Sequence, residues 1–487
     1  MIFLKDILYK VAIEAVKGST DIAIHKIDFD SRKIVKNDVF VAIRGTVSDG
    51  HEYIEKAISL GAIAIICDTF PDNCKDGVTY IQVKDTNTAL AFLAANYYGN
   101  PSQNLKLIGI TGTNGKTTVA SLLFQLFKKA GFKVGLLSTV KIIVDDIEYK
   151  ATHTTPDSIT INKYLKEMNG AGVEYCFMEV SSHGVHQKRT EALIFEGGVF
   201  TNLSHDHLDY HPTFADYRDV KKSFFDNLSK TAFALSNIDD KNGLVMLQNT
   251  NARKVTYALK TYANYRAQIL ENQLSGLLLK INDNEVWVRL IGTFNAYNLL
   301  AIYGTAIELG LDHFEVLRLL SELESVSGRF QFVVSNQNIT AIVDYAHTPD
   351  ALENVLKTIN DIRTKNEQLI TVVGCGGDRD KTKRPIMANI ASNLSDKVII
   401  TSDNPRTENP ETIIQEMEKG VEPQNYKKTI SIIDRKQAIK TACQLAQTND
   451  IILIAGKGHE NYQEIQGIRH HFDDMETVKE LLNQLGK

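Results

Sequence analysis

The chain of 487 residues carries a formal net charge of −5, with 43% hydrophobic and 23% charged residues. That balance fits a soluble globular protein of about three domains and excludes an overall basic field able to recruit nucleic acid. Five scattered cysteines without a C-x-x-C pair exclude a disulfide framework or a cysteine zinc site and point to a reducing, cytoplasmic setting. No apolar run approaches the ~18 residues of a membrane span. Lys5 and Asp6 interrupt the apolar N-terminal stretch, which is therefore not a signal peptide.

Residues 1–102 are expected to form a small α/β domain. Val39 to Ile43 and Ala62 to Cys67 read as strands, and Tyr53 to Leu60 as a short helix. Two polar loops flank the first strand: Phe29-Asp30-Ser31-Arg32 before it, and Gly45-Thr46-Val47-Ser48-Asp49-Gly50-His51 after it. Gly99-Asn100-Pro101-Ser102 reads as a linker.

The second domain, residues 103–328, opens with L-I-G-I-T-G-T-N-G-K-T-T at 107–118. A short apolar run turns through Gly112, Thr113, Asn114 and Gly115 into Lys116, Thr117 and Thr118. Val119 to Ala130 follows with apolar residues at helical spacing, and Gly131 stands where a helix would stop. Strand, glycine turn and helix make a phosphate cradle: backbone N–H groups approach the phosphates and the helix N-terminus adds partial positive charge. Lys116 would reach the β/γ-phosphates of a nucleotide, and the Thr117 hydroxyl would hold Mg²⁺. The strict eight-residue pattern has Gly where this chain has Ile110.

Strands are expected at Lys106 to Thr111, Lys133 to Ser138, Tyr175 to Val180 and Gly198 to Asn202, alternating with helical stretches. That alternation predicts a mostly parallel sheet covered on both faces. Ligands bind outside the carboxyl ends of such strands, so the polar residues there are the candidates. Glu179 ends one strand, where a carboxylate is well placed for Mg²⁺. The run from Asn202 to His211 packs three His and two Asp behind another. Lys188 and Arg189 follow Ser181, Ser182, His183 and Gln187, a grouping suited to an anionic ligand or to a solvated face.

The third domain, residues 329–487, repeats the alternation with strands at Thr340 to Val343, Leu369 to Val373, Lys397 to Thr401 and Ile451 to Ile454. Loops at 374–380, 402–406 and 455–460 should meet on one sheet edge. They carry Arg379, Arg406, Asp403 and Glu460. An Arg fork matches a carboxylate and acids accept from an ammonium, so the set suits an amino acid or pairs within itself.

Taken together, G-T-N-G-K-T-T at 112–118, M-E-V-S-S-H at 178–183, N-L-S-H-D-H-L-D-Y-H at 202–211, G-T-F-N-A-Y-N at 292–298, G-R-F at 328–330 and D-Y-A-H-T-P-D at 344–350 resemble the Mur ligases, ATP-dependent amide ligases of peptidoglycan assembly. The match runs the whole chain. D-N-P-R at 403–406 and G-K-G-H-E at 456–460 resemble the branch that adds meso-diaminopimelate as third residue of the stem peptide.

The resemblance implies three domains: an N-terminal α/β domain, a central P-loop-type sheet and a C-terminal Rossmann-like sheet. It implies that Gly112 to Thr118 hold ATP, completed by Asn298, Arg329, Asp344 and His347. Thr117, Glu179, His207 and a carbamylated Lys221 would serve Mg²⁺. Lys116, Glu179, His207 and Lys221 would be catalytic. Phe29, Ser31, Thr46, Val47 and Ser48 would touch the uridine nucleotide. His153, Thr154, Thr155, Ser181, Gln187 and Arg189 would hold the muramoyl-dipeptide of UDP-N-acetylmuramoyl-L-alanyl-D-glutamate. Arg379, Asp403, Asn404, Pro405, Arg406, Gly456 and Glu460 would hold diaminopimelate. His153 stands where the family commonly has Asn, and His205 where it has Arg. A monomer without membrane or nucleic-acid partners is expected. Competing readings are a lysine-adding relative, a folylpolyglutamate-type ligase and a nucleotide-switch protein.

Overall fold

The computed structural model describes residues 2–45, 48–204 and 210–487. Its fold is mixed α/β with several sheets. The chain falls into two compact units: residues 1–202 with 215–256, and residues 203–214 with 257–487.

The first unit begins with β1 (Ile13–Lys17), β2 (Ile27–Asp28), β3 (Val39–Val41), β4 (Ala64–Cys67) and β5 (Thr79–Val83), in the order β1-β5-β4-β3-β2. β3, β4 and β5 pair in parallel and are nearly all buried. Continuous apolar runs mark such strands because both faces are covered. The N-terminal turn is built locally: the Asp30 carboxylate accepts from the Arg32 backbone N–H at 3.1 Å and its guanidinium at 2.8 Å, which holds the acid at about 2.

The larger sheet of this unit contains β6 (Lys106–Thr111), β7 (Val134–Leu137), β8 (Lys141–Val144), β9 (Ile147–Lys150), β10 (Tyr175–Glu179), β11 (Gly197–Phe200) and β12 (Phe233–Asn237). Their order is β9-β8-β7-β10-β6-β11-β12. β7, β10, β6, β11 and β12 run parallel, and β8 and β9 form an antiparallel hairpin at the edge. The register sets Glu179 beside Ile110, and Phe200 beside Thr111. The carboxyl ends of these strands therefore share one edge.

Helix α1 (Lys116–Lys129) starts at Lys116, one turn earlier than its apolar spacing indicates. The Lys-Thr-Thr segment forms the first turn, so its N–H groups line the loop. Val119, Leu122, Leu123, Leu126 and Phe127 are buried. Phe127 packs its ring 4.6 Å from that of Tyr175 and 5.1 Å from that of Phe177. Burial of each such side chain stabilises by about 1.5–3 kcal/mol. Helix α2 (Phe214–Asp226) brings Tyr217 and Lys221 into the interior.

The second unit holds a meander missed by the sequence reading, β13 (Tyr265–Gln273), β14 (Gly276–Ile281) and β15 (Asn284–Val288). Its alternating exposed residues and few turn glycines hide it. Helix α3 (Thr293–Glu308) follows. The last sheet contains β16 (Gln331–Val334), β17 (Thr340–Asp344), β18 (Leu369–Cys375), β19 (Lys397–Ser402), β20 (Thr429–Ile432) and β21 (Ile451–Ala455), in the order β16-β17-β21-β18-β19-β20. All but β16 run parallel. A hairpin, β22 (Tyr462–Ile465) with β23 (Ile468–His471), lies outside the sheet. Among the described residues no helix is long and apolar enough to cross a membrane.

Candidate active site

At the carboxyl edge of the first unit's large sheet, Gly112 opens the loop with φ +151°. A Cβ there would lie 1.9 Å from the Thr201 hydroxyl oxygen. Gly112→Ala should therefore strain the loop by about 1–3 kcal/mol and weaken ADP binding roughly tenfold or more. Calorimetric titration of ADP checks this; an unchanged Kd would show that the loop adapts.

The loop is braced from β11. The Asn202 amide oxygen accepts from the Asn114 N–H at 2.9 Å, and its Nδ2 donates to the Asn114 carbonyl at 3.1 Å. Thr201 donates to the same carbonyl at 2.6 Å, and the Thr113 and Tyr217 hydroxyls lie 3.0 Å apart. The Lys116 ammonium sits over the loop, donating to the carbonyls of Gly112 at 3.0 Å and Thr113 at 2.8 Å.

Glu179 is fully buried. Its carboxylate accepts from the Thr117 hydroxyl at 3.0 Å, the Thr139 N–H at 2.7 Å and the Thr139 hydroxyl at 3.1 Å. The Thr139 and Thr154 hydroxyls lie 3.0 Å apart, so that Thr139 can accept from Thr154 while it donates to Glu179. Lys221 is buried and donates to the Gly112 carbonyl at 2.9 Å, whereas Lys222 is tied to Asp226 at 2.6 Å. Of the adjacent lysines, Lys221 is thus the one facing the loop. Thr117 and Glu179 offer hard oxygens of the kind Mg²⁺ takes, and so fit that cation. Among the described residues there is no cluster of three or more His, Cys, Asp or Glu arranged as a metal site. His205, Asp206, His207, Leu208 and Asp209 lie outside the described residues, as do Thr46 and Val47.

Thr155 donates to the Glu179 carbonyl at 2.8 Å and accepts from the Ser181 N–H at 2.9 Å. The Arg189 guanidinium donates to the Thr155 carbonyl and to the Gln187 side chain. Partial burial and the neighbouring Arg189 cation hold the His153 imidazole below its ordinary value. Thr154, Thr155, Ser181, Gln187 and Arg189 therefore form one bonded group beside Glu179. Phe29 packs against the first sheet's core, and Ser31 is buried in the turn capped by Asp30. The Ser48 carbonyl accepts from the Gly45 N–H at 3.0 Å.

In the second unit, Asp344 ends β17 beside Ala455. Its carboxylate accepts from the Phe330 N–H at 2.7 Å. The Arg329 guanidinium stacks 4.7 Å from the Tyr345 ring, and the His347 and His459 rings lie 4.5 and 4.9 Å from the same ring. Burial, with Arg329 next, drives His459 down to about 3. Asn298 is buried on α3 and donates to the Asn295 side chain at 3.1 Å.

Burial raises Asp344 from 3.8 to about 6. Between those values the folded chain keeps a proton that the unfolded chain has released. Stability therefore falls as pH rises through this window, and the penalty persists above it. Asp344→Asn cannot titrate. Its thermal midpoint should exceed that of the wild type at pH 7.5 by more than at pH 4; a constant difference across that range would count against the raised value.

The predicted meeting of three loops is present. Cys375 pairs with Ser402, and Val373 with Ala455, so the loops after β18, β19 and β21 share an edge. Asp403 and Asn404 are buried. Arg406 has φ +52°, and its guanidinium donates to the Gly377 carbonyl at 2.7 Å. Gly456 has φ +117°, a conformation that favours glycine, and a Cβ there would lie 2.5 Å from an Asp403 carboxylate oxygen. Asn404 donates to Glu460 at 2.7 Å. Burial, with the Asp403 charge next, raises the Glu460 carboxyl above its ordinary value. Pro405 is buried in the same turn. Arg379 is exposed on the 374–380 loop and makes no hydrogen bond to this cluster among the described residues.

Three family descriptions match the chain in order: "Mur ligase family, catalytic domain" at residues 23–98, "Mur ligase middle domain" at 110–306, and "Mur ligase, glutamate ligase domain" at 328–458. A UDP-N-acetylmuramoyl-L-alanyl-D-glutamate–2,6-diaminopimelate ligase of Cytophaga hutchinsonii is 53% identical over 485 residues, covering 99% of this chain and 100% of that one. The chain belongs to the Mur ligase family. The ligase of the same name from Bacteroides fragilis is 52% identical over 480 residues, covering 99% of each chain. A solved structure of that name superposes with TM-score 0.71 at 32% identity, covering 100% of this chain and 99% of the other. Folylpolyglutamate synthase from Thermotoga maritima shares the fold alone, with TM-score 0.60 at 15% identity over 76% of this chain and 90% of its own.

Within this Mur ligase, Thr139 and Tyr217 escape the sequence reading, while Asn202 and Lys457 stand inside motifs it names without a role of their own. Thr139 and Asn202 follow strand ends, which was the available signal. Tyr217 lies on helix α2 and Lys457 between two glycines. Nothing local marks Tyr217, whereas Lys457 is carried by G-K-G-H-E at 456–460.

Proposed function

We propose that this Mur ligase joins meso-2,6-diaminopimelate to UDP-N-acetylmuramoyl-L-alanyl-D-glutamate at the expense of ATP, in the cytoplasm. The observation that carries the reading is end-to-end identity of 53% with a ligase of that name. Arg406, on the same turn as Asp403 and Asn404, supports the choice of amino acid, since an Arg fork fits a second carboxylate.

Residues 1–102 serve the uridine nucleotide, 103–328 ATP and the dipeptide, and 329–487 the amino acid. The D-glutamate carboxylate attacks the γ-phosphorus of ATP, giving an acyl phosphate and ADP. The diaminopimelate amine, having lost a proton, attacks the acyl carbon and inorganic phosphate leaves. Lys116 moves from the loop carbonyls to neutralise charge on the γ-oxygens. The loop N–H groups and the N-terminus of α1 hold the other phosphates. Mg²⁺ held by Thr117 and Glu179 would add charge neutralisation on the phosphoryl oxygens. Arg189, Gln187, Ser181, Thr154 and Thr155 hold the dipeptide, and Glu460 receives an ammonium of the incoming amino acid. Lys221 keeps the loop carbonyl of Gly112 in place.

Phosphate release and product mass are measured with each amino acid, with and without the UDP-muramoyl-dipeptide. Release only when diaminopimelate and the dipeptide are both present, with the tripeptide mass, is expected. Equal or greater use of lysine, or phosphate release without amide product, would replace this reading.

A further inference from the structure

Lys457 is fully buried between Gly456 and Gly458. A buried ammonium is retained where its donors find acceptors. Its Nζ donates to the Asn404 side-chain oxygen at 3.3 Å, to a Glu460 carboxylate oxygen at 3.4 Å and, closely, to the Tyr462 carbonyl. These acceptors come from three different segments: the D-N-P-R turn, the loop after β21, and the first residue of the β22–β23 hairpin.

Each contact fixes something the amino-acid site needs. The Asn404 oxygen faces two donors, Lys457 and the Glu464 N–H at 2.9 Å. Its amide nitrogen therefore faces the Glu460 oxygen at 2.7 Å, and the reverse orientation would set donor against donor. Asn404 and Lys457 both engage the same Glu460 oxygen, which leaves the other oxygen for an ammonium. The hairpin anchored through Tyr462 in turn clasps Arg406: its N–H donates to the Glu464 carbonyl at 3.0 Å, and its carbonyl accepts from the Gln466 N–H at 2.7 Å. This clasp holds Arg406 at φ +52°, a conformation that costs a non-glycine residue about 1–3 kcal/mol.

We propose that Lys457 is a positioning residue for the incoming amino acid, tying Asn404, Glu460 and the Arg406-bearing hairpin into one receptor for its ammonium and distal carboxylate. The proposal rests on the diaminopimelate reading above. Lys457 touches no reacting atom; it acts through Asn404, Glu460 and Arg406.

The test is steady-state kinetics of the full-length enzyme with Lys457→Met, Glu460→Gln and the double variant, folding being checked by circular dichroism. Lys457→Met should raise KM for diaminopimelate about tenfold or more, with KM for ATP and for the UDP-muramoyl-dipeptide within about twofold of wild type. The double variant should be little worse than Glu460→Gln alone, because coupled neighbours are non-additive. Should Lys457→Met fail to fold, Lys457→Gln, which keeps an N–H donor, is read by the same criteria. An unchanged KM for diaminopimelate, equal rises for all three substrates, or multiplying effects in the double variant would overturn the inference while leaving the reaction assignment intact. A wild type that makes no tripeptide from diaminopimelate would overturn both.

Discussion

Lys116→Ala is expected to lower ATP-dependent tripeptide formation by about 10³-fold, the size of effect seen when a cation is removed from a transferring phosphoryl group. Lys116 opens helix α1, and its ammonium hovers over the Gly112 and Thr113 carbonyls at 3.0 and 2.8 Å. The loop has braces besides Lys116. Asn202, Thr201 and Tyr217 brace Asn114 and Thr113 independently, and Ala is a good helix former at this position. The loss should therefore fall on chemistry. The thermal midpoint should move by less than about 2–4 °C, the shift that ~1 kcal/mol produces in a domain of this size. Product formation above roughly a tenth of wild type would remove Lys116 from the mechanism.

Arg406→Ala should lower kcat/KM for diaminopimelate by about 10²-fold or more, since truncating one partner of a hydrogen-bonded charge pair costs about 2–5 kcal/mol. Its preference over lysine should collapse with it. Lysine lacks the distal carboxylate, and a site built to pair a group rejects analogues without it. The backbone complicates Ala here, because φ +52° strains any residue with a Cβ. Arg406→Gly removes the guanidinium and relieves that strain. Equal losses of diaminopimelate turnover in the Ala and Gly variants would locate the effect in the guanidinium. Recovery of activity in Arg406→Gly would assign it to the turn instead.

Where a motif is contiguous, the sequence reading and the structure coincide closely. The strand at Lys106–Thr111 has the expected bounds, and the expected strands of the last sheet differ from the observed ones by one or two residues at their ends. Buried parallel strands announce themselves as unbroken apolar runs. The β8–β9 hairpin and the β13–β15 meander do not: their exposed faces mix charge and apolar residues, and their pairing is antiparallel. Helix α1 starts three residues before its first apolar position because its first turn is polar, and only the loop it serves demands it.

The chain by itself determined the chemistry on offer: a glycine turn ending in Lys-Thr-Thr, an acid closing an apolar strand, and a D-N-P-R turn, each carried by neighbouring residues. The tertiary structure decided which of these groups touch. A parallel sheet gathers strand ends that are distant in sequence onto one edge, so Thr139 meets Glu179, Asn202 meets Asn114 and Lys457 meets Asn404. Side-chain periodicity records burial on a strand but carries no information about its neighbour, and for that reason these partners were invisible until the strands were placed in order.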